Sequence, residues 1–381
     1  MDVIETMQTG DYEQLLVAVD KSSGLRGFIC IHDTTLGPAL GGVRIWPHAT
    51  EADAVSDVLR LARAMTYKSS AAGLDFGGGK GLIWADPRTG VTEATMRAFG
   101  RNVESLGGRY ITTEDVGATH DHLVAIRKET RHVVGLPAEH GGSGNTSQIT
   151  GLGVYRGMKA AVREALGVDC LKDVTVAVQG FGKVASALVG HLIEAGARVI
   201  VTDVNRDALD RARLLNCRVL DDPDAIYDAQ CDVFAPCALG GILNEKTIRR
   251  LRAKVVAGAA NNQLLTPDDG RKLWHHGIVY VPDFIINAGG VINVAIEAAG
   301  YDEELARDRA ERIYDTVTDV LNKSHQRGIP PHEAAERLAE ERLERAREAR
   351  KGSLNGHAKE GRQDFVRVRS VDGALEPAAV K

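Results

Sequence analysis

The sequence predicts an α/β protein with two domains and a cleft between them. The chain has 381 residues, which is long enough for two or three domains. Apolar, β-prone runs alternate with helical patterns along most of it, and one strand, turn and helix unit carries spaced glycines. We expect a first α/β domain at 1–145, a second domain at 146–330, a helix at 331–351 that packs back toward the first domain, and a disordered tail at 352–381.

Composition favours an ordinary globular protein. The chain is 44% hydrophobic, and its formal net charge of −5 is spread without a basic cluster, which disfavours nucleic-acid binding. No apolar run approaches the roughly 20 residues that span a bilayer, and the N-terminus lacks the basic and apolar regions of a signal peptide. We therefore expect a cytoplasmic protein that binds neither nucleic acid nor membrane.

Cysteine and histidine spacing predicts neither disulfides nor a metal site. The five cysteines are scattered, odd in number and mostly inside apolar runs, so they look like small buried hydrophobic residues. There is no CxxC pair, and the two histidine clusters, His120 with His122 and His275 with His276, lack the helical i,i+4 spacing of metal ligands.

The first domain begins with a predicted hairpin of strands at 14–19 and 25–32, joined by the turn DKSSG. Thr50 and Asp53 form a plausible capping box, and apolar residues then recur at helical spacing as far as Met65. This helix places Lys68 at its C-terminal end, where a cation also complements the helix dipole.

Two lysines, Lys68 and Lys80, lie among small and apolar residues. We place Lys80 at the edge of a strand, after a turn formed by Gly77–Gly79. Burying an ammonium costs several kcal/mol unless it is paired or its pKa falls. One lysine can then stay charged to hold an anion while the other loses its proton. Asp115, which follows the predicted strand RYIT, is the candidate partner of the lysines. The alternative is that both are surface lysines beside a flexible loop.

The second domain carries a glycine turn, Gly180-Phe181-Gly182-Lys183-Val184-Ala185, between the strand VTVAVQ and a helix. The next strand, RVIVTD, ends at Asp203. This order is the Rossmann dinucleotide fingerprint, in which glycines let the backbone approach a pyrophosphate at a helix N-terminus. Asp203 would accept hydrogen bonds from the ribose hydroxyls and repel a 2′-phosphate, which favours NAD over NADP, although Arg206 lies nearby.

Continued strand and helix alternation predicts a doubly wound parallel sheet, which binds ligands at the carboxyl ends of its strands. Loops of small residues and amides follow three of these strands, and they either line the nicotinamide half of a cleft or are ordinary turns. The further residues that we expect at the cofactor are Thr150, Cys237, Ala238, Ala259, Asn261 and Asn287.

From about residue 12 to 350 the chain closely resembles the amino-acid dehydrogenases of the glutamate, leucine, phenylalanine and valine family. The resemblance rests on PALGGVR, MTYKSSAAGLDFGGGKG, TTEDVGAT, GNTSQITGLGVYRGMKAA, GFGKVA, FAPCALGG, GAANNQ and PDFIINAGGVINVA. It implies reversible, NAD-dependent oxidative deamination of an L-amino acid. It also implies that the first domain forms a homo-oligomer and that the cleft closes around the substrate.

By resemblance, Lys68 binds the substrate carboxylate, Lys80 acts on the water that attacks the imino carbon, and Asp115 shuttles protons to the amino group. Gly42 and Asn262 complete the contacts to the carboxylate and carbonyl groups.

The resemblance also implies a side-chain pocket, with Leu40 where a glutamate enzyme of the family carries a lysine. A substrate carboxylate against Leu40 would be unpaired, so glutamate is disfavoured. The pocket is expected to include Leu40, Thr113, Val291 and Val294, as in leucine and valine enzymes, except that Thr113 replaces their usual alanine. We expect a branched-chain substrate. An aromatic substrate, phenylalanine or tryptophan, is the alternative, and a catalytically silent dinucleotide-binding sensor is a remote one.

Overall fold

In the computed structural model, which describes residues 2–357, the chain forms two β-sheets flanked by helices. The predicted α/β fold with two sheets is confirmed. The first sheet is mixed and has the order β1-β2-β4-β3-β5. Its strands are β1 (Gln14–Asp20), β2 (Leu25–Asp33), β3 (Ala39–Ile45), β4 (Gly77–Ile83) and β5 (Tyr110–Glu114). The first two form the expected antiparallel hairpin.

Four helices accompany the first sheet: α1 (Val3–Thr9), α2 (Glu51–Ala71), α3 (Glu93–Ser105) and α4 (His120–Arg127). The longest, α2, starts at the predicted cap, where the Thr50 hydroxyl accepts the Asp53 N–H at 3.1 Å. Its apolar face, with Val58 and Leu59, packs on one face of the sheet, and α3 packs with Phe99 on the other. This packing puts the C-terminal end of α2, with Lys68, over the strand that carries Lys80.

The glycine run before Lys80 is part of the central strand β4, so the prediction of a turn there, with Lys80 at the edge of a strand, is wrong. All seven residues of β4 are buried. A Cβ atom on Gly78 would lie 2.1 Å from the Thr66 nitrogen of α2, and one on Gly77 would lie 1.9 Å from the Asp33 oxygen. The glycines are therefore needed for close packing of helix and neighbouring strand against β4.

The second sheet is entirely parallel and has the order β11-β10-β9-β6-β7-β8, as the alternation predicts. Its strands are β6 (Thr175–Gln179), β7 (Arg198–Thr202), β8 (Arg218–Val219), β9 (Val233–Pro236), β10 (Val255–Val256) and β11 (Val279–Tyr280). The accompanying helices are α5 (Ser147–Leu166), α6 (Lys183–Glu194), α7 (Arg206–Leu214), α8 (Glu245–Ile248), α9 (Pro267–His275), α10 (Asp283–Ile286), α11 (Gly289–Glu297), α12 (Glu303–Glu311) and α13 (Ile313–Arg327).

The last helix, α14 (Pro331–His357), follows the second sheet in the chain and contacts α2 of the first. The Arg342 guanidinium donates to the carbonyls of Leu74 at 2.7 Å and Ser70 at 3.2 Å, at the C-terminal end of α2. Helix α14 runs past the predicted end at 351, because a lone glycine such as Gly352 weakens a helix without ending it. The domain boundaries remain predictions, and the expected tail beyond residue 357 lies outside the described residues.

Candidate active site

A cavity of about 1310 Å³ brings residues of both sheets together. Its lining includes Lys68, Lys80 and Asp115 from the first half of the chain. It also includes eight other predicted site residues: Leu40, Gly42, Thr113, Lys183, Asn261, Asn262, Val291 and Val294. Groups that are far apart in sequence therefore share one cleft.

Lys80 and Asp115 form an ion pair in this cavity, in which Lys80 is buried and Asp115 is half-buried. The Lys80 Nζ lies 3.0 Å from Asp115 Oδ2, and Lys80 is 5% exposed. Burial lowers the pKa of Lys80 and Asp115 opposes that shift, while the positive Arg44 adds to it. A lysine with a lowered pKa can lose its proton near the working pH and act as a base.

Lys68 is partly exposed to the cavity, near the end of α2. Its Nζ donates a 2.6 Å hydrogen bond to Asn287 Oδ1, which follows α10. Burial lowers the pKa of Lys68 to about 8, with Asp283 opposing the shift and Lys80 adding to it. The sequence reasoning assigns proton release to Lys80 alone. The structure lowers the pKa of both lysines, chiefly because burial takes both ammonium groups out of water; Lys80 adds to the shift of Lys68, and Arg44 adds to that of Lys80.

Arg44, which the sequence reasoning missed, also contacts Asp115. Its Nε donates to Asp115 Oδ2 at 2.9 Å. Burial would raise the pKa of Asp115, but Lys80 and Arg44 hold it below its ordinary value. Asp115 is therefore kept as a carboxylate. The arginine belongs to the PALGGVR motif, but nothing in the spacing of that motif marks it as a partner of a residue 71 positions away.

Asp283 is a second missed residue, and it faces Lys68 from the other half of the chain. It accepts the backbone N–H groups of Asn262 and of Phe284, the latter at 2.8 Å. Burial raises the pKa of Asp283, and Lys68 opposes that shift. Asn262 has a left-handed backbone, with φ of 52°, which the bond to Asp283 helps to hold. The sequence signal for Asp283 is its place as the acidic residue of the motif PDFIINAGG.

The glycine turn of the second sheet has the shape of an anion cradle. Gly182 is the N-cap of α6 and no side chain caps that end, so the first N–H groups of the helix remain for a ligand. A Cβ atom on Gly182 would meet nothing within 4 Å, whereas one on Gly180, whose φ is 92°, would lie 2.7 Å from the Ala238 side chain. The Asp203 carboxylate accepts the Phe181 N–H at 2.6 Å, which joins the acidic strand end to the turn.

Four of the predicted cofactor residues are linked by hydrogen bonds. The Asn287 amide donates to Ala259 O at 3.0 Å and Asn261 Oδ1 at 2.8 Å, and the Ala259 N–H donates to Cys237 Sγ at 3.5 Å. Thr150 is buried and donates to Thr146 O at 2.9 Å, one turn back in α5. The cavity lining omits ten of the predicted residues: Thr150, Gly180, Phe181, Gly182, Val184, Asp203, Cys237, Ala238, Ala259 and Asn287.

The apolar end of the cavity is formed by Leu40, Val291 and Val294, with Thr113 beside them. Gly135 completes this wall: its φ is 80°, and a Cβ atom there would lie 2.5 Å from Thr113 Oγ1. The carboxylate of Glu297, at the end of α11, accepts the N–H groups of Gly135 at 2.9 Å, Leu136 at 3.2 Å and Ser143 at 2.8 Å. Glu297 thus ties the helix of Val291 and Val294 to the segment that joins the two sheets.

Within residues 2–357, no group of three or more His, Cys, Asp or Glu side chains is placed to hold a metal ion. No helix in that part of the chain is both long and apolar enough to cross a membrane.

Comparisons with known proteins place the chain in a family. The model of the "Glu/Leu/Phe/Val dehydrogenase, dimerisation domain" matches residues 13–132, and that of "Glutamate/Leucine/Phenylalanine/Valine dehydrogenase" matches 141–209 and 201–351. The chain belongs to this dehydrogenase family. It is 53% identical to a leucine dehydrogenase of Thermoactinomyces intermedius, over 92% of this chain and 96% of that protein. It is 46% identical to a valine dehydrogenase of Streptomyces coelicolor, over 91% and 97% of the two chains.

Among solved structures, the L-tryptophan dehydrogenase of Nostoc punctiforme is similar with a TM-score of 0.81 and 42% identity, covering 91% of this chain and 99% of that one. The family resemblance inferred from the motifs is thereby confirmed, as is the prediction of an amino-acid dehydrogenase. The regions that the two family models match correspond to the two sheets. The dimerisation-domain model covers the first sheet, and the second model covers the parallel sheet.

Proposed function

We propose that this protein catalyses the NAD-dependent, reversible oxidative deamination of a branched-chain L-amino acid: leucine, valine or isoleucine. The observation that carries the proposal is the meeting of Lys68, Lys80 and Asp115 with an apolar pocket in one cavity. In the forward direction, amino acid, NAD⁺ and water give the 2-oxo acid, ammonium, NADH and a proton.

The residues of the second sheet fit a dinucleotide. The uncapped N-terminus of α6 supports a pyrophosphate, because its N–H groups have no side-chain partner and Gly182 leaves space for a close approach. Asp203 would accept the ribose hydroxyls and disfavour a 2′-phosphate, which supports NAD as the cofactor. When bound, the nicotinamide supplies the chemistry of hydride acceptance from the substrate Cα.

The proposed roles follow from charge. Lys68, when protonated, binds the substrate carboxylate and orients Cα toward the second sheet. Asp115, held as a carboxylate, accepts a proton from the substrate ammonium group. Lys80 in its neutral form takes a proton from the water that attacks the imino carbon, and its proximity to Asp115 gives that proton a path to the departing ammonia.

The pocket supports an aliphatic side chain. Leu40 is fully buried, and it lies with Val291, Val294 and Thr113 where the side chain would project. A glutamate side chain would bury an unpaired carboxylate there, which costs several kcal/mol. The similarity to both leucine and valine dehydrogenases also supports a branched-chain substrate.

The first domain is proposed to form a homo-oligomer. Its family model is described as a dimerisation domain. Sedimentation of the purified full-length chain tests this, because a monomer at micromolar concentration would contradict it.

A substrate panel tests the proposed function. NADH formation at alkaline pH is measured with leucine, isoleucine, valine, phenylalanine, tryptophan and glutamate, and NADP⁺ replaces NAD⁺ in a parallel series. We expect the branched-chain amino acids to have the highest kcat/KM. Activity confined to phenylalanine or tryptophan would support the aromatic alternative, and tight NADH binding with no turnover on any amino acid would support a silent sensor.

A further inference from the structure

Arg44, on β3, joins the half-buried carboxylate of Asp115 to helix α2. Its Nε donates to Asp115 Oδ2 at 2.9 Å, and its Nη1 donates to Asp57 Oδ2 at 3.0 Å. Asp57 is held in turn by Arg60 at 2.7 Å, and His48 Nε2 lies 3.4 Å from Asp57 Oδ2. Arg44 is 19% exposed. Two anchors on different nitrogen atoms therefore hold the guanidinium in one orientation beside the active site.

The contacts of Asp115 fall on one oxygen. Both the Lys80 Nζ, at 3.0 Å, and the Arg44 Nε approach Oδ2. Across residues 2–357, no hydrogen bond reaches Oδ1 of Asp115. Two cations therefore meet at one oxygen of this carboxylate.

We propose that Arg44 is a positioning residue that sets the proton balance of the Lys80 and Asp115 pair. This inference rests on the proposed function, in which Lys80 must release a proton while Asp115 remains a carboxylate. A lone ammonium and carboxylate in a buried site stabilise each other's charge, so the lysine would keep its proton. A second cation on the same carboxylate oxygen weakens that hold and also keeps the carboxylate ionised.

The charges around Lys80 and Asp115 agree with this role of Arg44. Arg44 acts on both members of the pair, because it contributes to the lowered pKa of Lys80 and to the lowered pKa of Asp115. Other charged or titratable groups around the pair include Lys68 and Asp57 on α2, Arg60 and His48 beside Asp57, Tyr110 on β5, Cys30 opposite Lys80 on β2, and Asp283 on α10 near Lys68. Loss of Arg44 is therefore expected to raise the pKa of both Lys80 and Asp115.

The test compares the pH dependence of kcat/KM for leucine oxidation in wild type, Arg44→Gln and Arg44→Lys. In Arg44→Gln the rising limb of kcat/KM should move to higher pH by about one unit. At low pH, kcat/KM should then be roughly tenfold below that of the wild type, and at high pH it should approach the wild-type value at the same pH. Arg44→Lys keeps a positive charge, so its shift should be smaller than that of Arg44→Gln. A shift should remain, because a lysine cannot contact Asp115 and Asp57 together. Arg97→Gln removes a surface arginine that pairs with Glu129 and should leave the profile in place. An equal loss at every pH in Arg44→Gln would overturn the proposal.

A second measurement does not need catalysis. The pH dependence of Lys80 acetylation by acetic anhydride, quantified by peptide mass spectrometry on the unliganded protein, reports the pKa of this lysine. We expect that pKa to rise in Arg44→Gln, and an unchanged value would overturn the inference even if the wild type oxidises no amino acid. Inactive wild type would instead contradict the proposed function. Thermal unfolding establishes that each variant is folded. If Arg44→Gln does not fold, both the pH profile and the acetylation are measured on Arg44→Lys.

Discussion

Lys68 and Asn287 are 219 residues apart, yet the lysine Nζ donates a 2.6 Å hydrogen bond to the asparagine Oδ1. The same asparagine donates to Ala259 and Asn261 in the loop after β10. The proposed carboxylate-binding lysine of the first half is thereby joined directly to the proposed cofactor side of the second. A ligand carboxylate at Lys68 will either share or replace the bond to Asn287.

We predict that carboxylate binding weakens above pH 8. The pKa of Lys68 is lowered to about 8, so the free protein loses the charge that binds the ligand as the pH rises through that value. The Kd of 4-methylpentanoate, measured by NADH fluorescence, should be constant below pH 8 and rise about tenfold per unit above it. Lys68→Met should bind weakly and without this slope, and Lys172→Met, on the surface, should behave as wild type. A flat wild-type profile from pH 7 to 10 would contradict the role of Lys68.

Replacement of Lys80 should impair the chemical step and spare cofactor binding. We expect Lys80→Ala to lose about 10²–10⁴ in kcat, because a positioned proton acceptor contributes on that order. The Kd for NADH should remain that of the wild type, since Lys80 lies on β4 of the first sheet, whereas the proposed cofactor residues belong to the second half of the chain. Lys254→Ala, at an exposed position, is the matched control. Equal and mild losses in Lys80→Ala and Lys68→Ala would argue against different roles for the two lysines.

Thr113 is expected to favour smaller substrates. Its side chain packs beside Gly135 at the apolar end of the cavity. Thr113→Ala enlarges this space and should raise the ratio of kcat/KM for leucine over valine by about tenfold, within the range that one methylene provides. Thr113→Val keeps the volume and should leave the ratio near that of wild type. No change in Thr113→Ala would place the size determinant elsewhere.

Asp203 should set the cofactor preference. Its carboxylate lies against the Phe181 N–H of the glycine turn, and Asn in its place keeps the shape without the negative charge. We expect Asp203→Asn to raise the ratio of kcat/KM for NADP⁺ over NAD⁺ about tenfold, because like-charge repulsion of the 2′-phosphate is removed. Asp207→Asn, an exposed change in the first turn of α7, is the control. Unchanged preference in Asp203→Asn would mean that a different group rejects the phosphate.

Glu297 is predicted to stabilise the connection between the sheets. Its carboxylate accepts three backbone N–H groups from the segment 135–143. Glu297→Gln replaces charged acceptors by one neutral oxygen and an NH₂ group, which should cost roughly 1–3 kcal/mol of unfolding free energy. A lower urea midpoint measures this loss, and Glu304→Gln, which is exposed on α12, should retain the wild-type midpoint. The connection is held by other contacts if both variants unfold alike.

Most of the fold could be predicted because its signals are local. The cap at Thr50, the hairpin of β1 and β2, and the parallel second sheet follow from residues close together in the chain. The sequence alone predicts a turn at the glycines before Lys80, because turns and close-packed strands use the same residue. Only the approach of α2 to β4, with 2.1 Å from a Cβ on Gly78 to the Thr66 nitrogen, distinguishes the two.

The sequence by itself determined the α/β class, the glycine turn before a helix, the acidic residue Asp203 after the next strand, and the candidates Lys68, Lys80 and Asp115. Each is marked by the chemistry of its own neighbours. Only the tertiary structure decided that Arg44 contacts Asp115 across 71 residues and that Glu297 binds Gly135 across 162. The physical reason is that such contacts depend on strand register and on the packing of helices over sheets. Neither hydrophobic periodicity nor a local motif specifies these distances.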